Sequence, residues 1–372
     1  MSHAIIAARA HAAPREGLRA PPSRARPTSS APARRIAARA TPAHGLPSFE
    51  RDVMLGLTLR QKAIPSTWLY DHRGSELFER ITQLAEYYPS RSETRILERC
   101  AVEIAAAAGP RAVVIELGSG ASRKTRLLLD ALDAPRAYLP IDISEQFLAE
   151  SVAGLPASYA GLRVLPIAAD FTRIESLPEL AGLDAEGGRG RRIVFFPGST
   201  IGNFTPDEAV NLLARIGQAV GPEALLIVGA DTTHDPAVLI PAYDDREGVT
   251  AAFNKNLLVR INRELGADFS PTAFRHEARF NAELQRVEMH LVSEYTQRVT
   301  VCGHPFQFAM GESIHTENAY KHSLLKFQHL AARAGWTHRQ LWMDGQSQFA
   351  VHVLEPAMPA VAREREQNVR FR

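Results

Sequence analysis

The middle of the chain alternates between two hydrophobic patterns. Five apolar runs, RAVVIEL (111–117), AYLPIDI (137–143), LRVLPIAADF (162–171), RRIVFFPG (191–198) and ALLIVGAD (224–231), show no polar face. Short runs of this kind read as strands buried on both sides. The spacers between them, such as KTRLLLDALD and PDEAVNLLARIGQAV, repeat their apolar positions with helical periodicity. Strands alternating with helices predict an α/β domain with a doubly wound parallel sheet. GLDAEGGRG (182–190) fits neither pattern and reads as a loop before the fourth strand.

After Asp231 the pattern changes. AYDDREGVTAAFNKNLLVRINRELGADF (242–269) reads as a loop followed by a long amphipathic helix. RVEMHLVSEYTQRVTV and HPFQFAMGESIHTE then alternate polar with apolar residues, as strands of an antiparallel sheet do. The chain closes with a helical stretch, YKHSLLKFQHLAARAG (320–335), and two runs, THRQLWMD and QFAVHVLE, that suit final strands of the first sheet. Segment 234–320 therefore looks inserted into an α/β domain. No internal repeat is visible.

Composition narrows the function classes. The 372 residues are 45% apolar and 23% charged, ordinary for a globular protein. The net charge of +2 conceals an asymmetry. Residues 1–45 carry eight arginines, no lysine and one acid, a charge of +7, so the remainder is 2 − 7 = −5. An acidic body does not recommend nucleic acid as a partner. The Ala/Arg/Pro-rich stretch 1–45 reads as a disordered tail with some likeness to a transit peptide, and 357–372 as a charged tail. No apolar run approaches the roughly 18–20 residues that span a bilayer. Two distant cysteines, Cys100 and Cys302, suit a reducing, cytoplasmic setting rather than a disulfide framework.

The junction ELGSGASRKT, at the end of the first strand, is the strongest local signal. A phosphate-wrapping P-loop needs its second glycine where Arg123 stands, and a dinucleotide fingerprint needs its third glycine at that same place. The G-x-S-x-G turn of serine hydrolases is absent. S-adenosylmethionine remains: it has no phosphate and needs a tight turn without an anion cradle. Acids at successive strand ends suit it. Glu116 closes the first strand. Asp142, 24 residues after Gly118, is placed to hold the ribose hydroxyls. Asp170 can accept from the adenine amino group, with Phe171 beside the ring.

Longer motifs extend this reading. YDHRGSELFERITQLAEYYPSRSE, ELGSGASRKTRLLLDAL, FFPGSTIGN, AYDDREGVTAAFNKNLL, NRELGADF, RVEM and GESIHTEN, in this order from about Pro65 to Leu354, resemble the ergothioneine-pathway L-histidine Nα-methyltransferases. That family also includes N-methyltransferases of tryptophan derivatives. The resemblance implies a monomeric enzyme that trimethylates the α-amine of histidine to hercynine. Its fold would be a Rossmann-like class I methyltransferase domain (92–233 and 321–356) with an inserted, discontinuous α+β substrate-binding domain (46–91 and 234–320). Carried over by position, the cofactor contacts fall on Gly118, Ser119, Lys124, Asp142, Asp170 and Phe171. The amino-acid site falls on Tyr70, Phe78, Tyr87, Gly198, Thr200, Asn203, Tyr243, Met289 and Glu317.

These residue types suit methyl transfer. Only a neutral amine attacks a sulfonium methyl, and hydrogen-bonding groups such as Tyr70 and Asn203 can orient its lone pair. Asn203 and Tyr243 can hold the substrate carboxylate without adding a cation. Glu317 can accept from an imidazole N–H, and the faces of Phe78 and Tyr87 suit a growing trimethylammonium. Plainer roles compete: Met289 as core, Tyr87 and Tyr88 as turn packing, Asn203 as a helix cap. Glu317 and His315 could also begin a metal site, but no further ligands show suitable spacing, so no metal is expected. One departure stands out. Two residues after Glu317 the family usually carries serine, and here Ala319 is present, a loss of one neutral hydrogen bond worth about 0.5–1.5 kcal/mol.

Overall fold

The computed structural model describes residues 49–185 and 190–357, so both expected tails and the tip of the 182–190 loop lie largely outside the described residues. The strands, in chain order, are β1 (Lys62–Ala63), β2 (Val113–Leu117), β3 (Ala137–Asp142), β4 (Arg163–Val164), β5 (Ile167–Ala168), β6 (Arg192–Phe196) and β7 (Leu225–Asp231). There follow β8 (Phe274–Asn281), β9 (Arg286–Ser293), β10 (Gln297–Val301), β11 (His304–Phe308), β12 (Ser313–Tyr320), β13 (Trp336–Met343) and β14 (Phe349–Pro356).

One sheet runs β13-β14-β7-β6-β2-β3-β4, with β5 also paired to β3. From β7 to β5 the pairings are parallel. Both faces of these strands are covered. Val113, Ile115 and Leu117 share a core with the helices Pro206–Val220 and Leu324–Arg333. Val114 and Tyr138 share another with the helix Tyr88–Ala108 and the helix Arg123–Ala131. This two-sided burial is why the strands read as continuous apolar runs.

The sheet departs from the all-parallel expectation at one edge, where β14 pairs antiparallel with β7 and β13 antiparallel with β14. The third apolar run is a second departure. LRVLPIAADF supplies only the short, half-exposed pieces β4 and β5, interrupted at Pro166, which has no N–H to donate to a neighbour. Residues 182–185, expected as loop, instead finish the helix Pro178–Ala185, which buries Leu180 and Leu183 one turn apart.

Between β7 and β13 the chain leaves this sheet. A four-stranded sheet, β1-β12-β9-β8, is antiparallel except where β1 joins β12, and β10 and β11 form a separate ribbon. Its core is a third cluster, in which Met289, Leu291 and Ile314 meet Phe253, Leu257 and Ile261 of the helix Val249–Leu265 and Leu77 of the helix His72–Ile81. Sequence reasoning missed β1 and β8. The helix Tyr88–Ala108 runs unbroken across residue 91, where a domain boundary was expected. The described residues belong to one compact unit, and none of their helices is long and apolar enough to cross a membrane.

Candidate active site

The glycine turn follows directly from β2. Gly118 and Gly120 adopt φ of +67° and +50°, which glycine adopts without steric cost. The Gly118 N–H donates to Ile141 O at 2.9 Å, and the Gly120 N–H to Asp142 Oδ2 at 3.0 Å, so the turn is tied to the end of β3. Asp142 Oδ1 accepts from the Ser144 N–H, and burial raises its carboxyl above the usual range. A Cβ on Gly118 would lie 3.5 Å from the Phe171 ring, which brings the predicted adenine neighbour to the predicted turn. Asp170 caps the 3-10 turn Phe171–Arg173, accepting from both Thr172 N and Thr172 Oγ1. The Ser119 hydroxyl is buried without a protein partner. Tight turn, orphaned hydroxyl and strand-end carboxylate together fit S-adenosylmethionine.

One expectation here changes. Glu116 is not displayed at the sheet edge. Strand alternation turns it to the same side as Val114, where it is buried and accepts from the Tyr138 hydroxyl, itself 2.8 Å from Ser122 Oγ. Burial pushes its carboxyl up to about 8. Lys124 donates to Glu93, a fully buried acid in the helix Tyr88–Ala108 whose other bond is from the Gly198 N–H at 2.8 Å. Glu93 therefore joins the glycine turn's helix to the PGST segment. A Cβ on Gly229 would fall 1.9 Å from Glu93 Oε1, so glycine is required beside it. Only the quoted motif around YYPSRSE hinted at Glu93.

The second half of the site gathers the predicted amino-acid residues. Glu317 is 9% exposed on β12, opposite Met289 of β9. A β-bulge between His315 and Glu317 shifts the strand's phase, so that Ile314 and Glu317 both face the core. Without it Thr316 would take the inward place. Burial pushes the Glu317 carboxyl up to about 7. Its Oε1 accepts from the Tyr70 hydroxyl at 3.4 Å and from Asn203 Nδ2 at 3.3 Å. Both contacts are long for hydrogen bonds and leave the carboxylate free to take a closer partner.

Asn203 ends the 3-10 turn Thr200–Asn203. It does not cap the following helix, because Thr205 does so in a capping box with Glu208. The turn is pressed onto β12: a Cβ on Gly202 would lie 2.7 Å from Tyr320 O. Gly198 takes φ +78° before it, and Thr200 Oγ1 donates to Pro197 O at 2.9 Å. Around Glu317 runs a chain of rings. Tyr70 meets Phe78 at 5.5 Å, Phe78 meets Tyr87 at 6.2 Å and Tyr87 meets Tyr243 at 6.2 Å, mostly edge to face. Phe253, which sequence reasoning missed, touches both Tyr70 and Phe78. Burial holds the hydroxyls of Tyr70, Tyr87 and Tyr243 well above the ordinary tyrosine range, so they are neutral donors.

His315 lies on the opposite face from Glu317. There it approaches Glu288 and His290. The two imidazoles stack 4.9 Å apart with planes only 16° from parallel, so their in-plane lone pairs do not converge on one ion. Glu288 is taken up by Arg286 and Asn281, which with His290 hold its carboxyl down at about 2 despite partial burial.

Comparison with known proteins identifies the family. Residues 49–356 match the family described as histidine-specific, S-adenosylmethionine-dependent methyltransferases. Histidine N-alpha-methyltransferase of Mycolicibacterium smegmatis is 40% identical over 82% of this chain and 94% of its own length. The protein of that name from Mycobacterium tuberculosis is 39% identical over the same shares. Ergothioneine biosynthesis protein 1 of Neurospora crassa is 30% identical over 79% of this chain, which spans 33% of that longer protein.

Proposed function

Because the chain belongs to the histidine-specific, S-adenosylmethionine-dependent methyltransferases, we propose that it transfers three methyl groups in succession to the α-amine of L-histidine. The product is hercynine, and the setting is ergothioneine synthesis. The observation that carries the reading is Glu317, one buried carboxylate at the meeting point of Tyr70, Asn203 and the ring chain.

In this reading S-adenosylmethionine, held by Gly118, Ser119, Lys124, Asp142, Asp170 and Phe171, supplies the electrophilic methyl group. The chain's own residues do the rest. Glu317 accepts the imidazole N–H, a charge-assisted bond worth about 1.5–3 kcal/mol. Tyr243 and Asn203 donate to the substrate carboxylate. Tyr70 and Asn203 orient the amine lone pair. Free α-amines have pKa values near 7.7–8.0, so a neutral fraction is present without a strong base. The faces of Phe78 and Tyr87 stabilise the product cation by about 0.5–2 kcal/mol per contact. Gly198 and Thr200 shape the floor, and Met289 packs opposite Glu317.

Segments 46–91 and 234–320 form the substrate-binding part in this reading, and 92–233 with 321–356 the methyltransferase part. Support comes from their separate sheets and apolar cores. The enzyme acts as a cytoplasmic monomer on a free amino acid. Two unpaired thiols support the reducing setting. Methylation of a different α-amino acid, such as a tryptophan derivative, is the second reading. Buried Ala319, two residues along from Glu317, favours it by removing a hydroxyl from the acceptor pocket.

The test is mass spectrometry of the enzyme with S-adenosylmethionine and each of the twenty amino acids. Histidine gaining three methyl groups through mono- and dimethyl intermediates is expected. Methylation confined to another amino acid would move the substrate and keep the chemistry.

A further inference from the structure

The Tyr243 hydroxyl has a buried neighbour that neither the motifs nor the mechanism above use. Lys321 follows β12 directly; the helix expected from residue 320 begins only at Leu324, with Ser323 as its cap. Its side chain is fully buried, and Nζ donates to Tyr243 Oη at 2.8 Å and to Asp231 Oδ2 at 2.7 Å. Asp231, also fully buried, accepts from the Tyr88 hydroxyl at 2.6 Å and from the Thr233 N–H at 2.9 Å. The carboxylate is thus fully engaged, and the ion pair is compensated rather than a lone buried charge.

An ammonium has three donors and no acceptor. In its contact with Lys321, therefore, the Tyr243 oxygen can only accept. Its single proton must go elsewhere, and no described residue takes it. We propose that Lys321 is a positioning residue that commits the Tyr243 hydroxyl to donating, and that the acceptor it is committed to is the carboxylate of the amino-acid substrate. The inference rests on the role given to Tyr243 under the proposed function. A tyrosine free to rotate would have to turn its proton toward the carboxylate when the substrate binds. One pinned from behind by an ammonium offers the proton alone. Lys321 thereby orients a donor without itself contacting the substrate, and the cation stays one hydroxyl away from the amine.

The test compares histidine with histidinamide, which lacks the carboxylate. The paired variant Lys321→Met with Asp231→Asn removes both charges together, so neither is left alone in the core. It is measured beside Tyr243→Phe and the triple variant. The paired variant is expected to raise KM for histidine about tenfold, with KM for histidinamide and the Kd for S-adenosylmethionine unchanged. On the Tyr243→Phe background it should add nothing. Equal rises for histidine and histidinamide, or full additivity with Tyr243→Phe, would overturn the proposal and mark the pair as merely structural. If Tyr243→Phe raises KM while the paired variant is silent, only the role of Lys321 falls. If Tyr243→Phe itself leaves KM unchanged, the carboxylate assignment falls first. Should the paired variant fail to fold, Lys321→Gln combined with Asp231→Asn, in which the Gln amide oxygen can take the Tyr243 proton, gives the same comparison.

Discussion

The two halves of the site are built by different means. Around Gly118 the work is done by backbone: two glycines at positive φ, N–H groups tied to Ile141 and Asp142, and a ring laid against the turn. Around Glu317 it is done by side chains from five separated segments, carrying Tyr70, Tyr87, Asn203, Tyr243 and Glu317, with hardly a backbone group among the contacts. A turn at a strand end needs only local sequence to be correct. A pocket of side chains needs a bulge, a pressed 3-10 turn and a ring chain to be correct at once. The first half is therefore set by local sequence, while the second depends on distant segments meeting.

Glu93 is where the comparison can be broken most severely, because it is bonded to both halves, to Lys124 on one side and to the Gly198 N–H on the other. Removing one member of a buried pair leaves the other uncompensated, at a cost of about 3–5 kcal/mol. Lys124 is 17% exposed, which places Glu93→Gln near the lower end. A fall in melting temperature of several degrees is expected, together with weaker binding of both ligands by calorimetry. Weakening of one ligand alone would show that the halves are independent.

The next largest effects separate the halves. Glu317→Ala should raise KM for histidine by about 10- to 100-fold, as loss of a charge-assisted hydrogen bond does, with little change in S-adenosylmethionine affinity. Asp142→Ala should do the reverse, since its carboxylate also ties down the Gly120 and Ser144 N–H groups. Steady-state kinetics with both substrates varied reads the split. Equal effects of either variant on both ligands would sink its assigned place.

The same contrast explains what the sequence made legible. Strands buried on both faces announce themselves as apolar runs, and the glycine turn announces itself by where its glycines stop. Asp142 and Phe171 lie within a few residues of those runs. Glu116 was misplaced because a strand-end acid has two sides to point to, and alternation with Val114 turns it into the core. β8 escaped notice because charges fill its outward positions: Arg275, Glu277 and Arg279 alternate with Phe274, His276 and Ala278. The bulge at Thr316 has no residue signature at all. The Lys321–Asp231 pair, 90 positions apart, and the Glu93–Lys124 pair are invisible to any periodicity, because burial of an ion pair depends on which helix covers which strand. The proposed acceptor residues were reached through family motifs, and their meeting in one place is a property of the fold.

A titration sharpens the comparison further. With its carboxyl held up near 7, Glu317 is mostly protonated at pH 6 and mostly ionised at pH 8. Only the ionised form accepts an imidazole N–H with charge assistance. KM for histidine should therefore fall by about tenfold over that interval as the carboxylate fraction rises. The substrate amine also loses its proton as pH rises, so Glu317→Gln is the control: it keeps the amine's contribution and loses the rest. A pH profile identical in the two enzymes would detach Glu317 from the imidazole.

The smallest expected effect concerns Ala319, which is 6% exposed, faces Val287 across the sheet and shares the inward face with Glu317. Ala319→Ser places a hydroxyl beside the proposed imidazole position at almost no change in volume. A new neutral hydrogen bond contributes about 0.5–1.5 kcal/mol, so KM for histidine should drop about two- to tenfold. Without substrate the same hydroxyl is buried beside apolar neighbours and costs some stability, so a lower melting temperature that histidine restores belongs to the same expectation. The variant also discriminates between the two substrate readings. If histidine is the substrate, the gain appears for histidine and the transfer rate is unchanged. If the pocket serves a bulkier aromatic amino acid, the hydroxyl intrudes on its ring, and KM for that substrate rises while histidine still binds poorly. A serine that changes neither would show that the imidazole is held by Glu317 alone and that position 319 only packs.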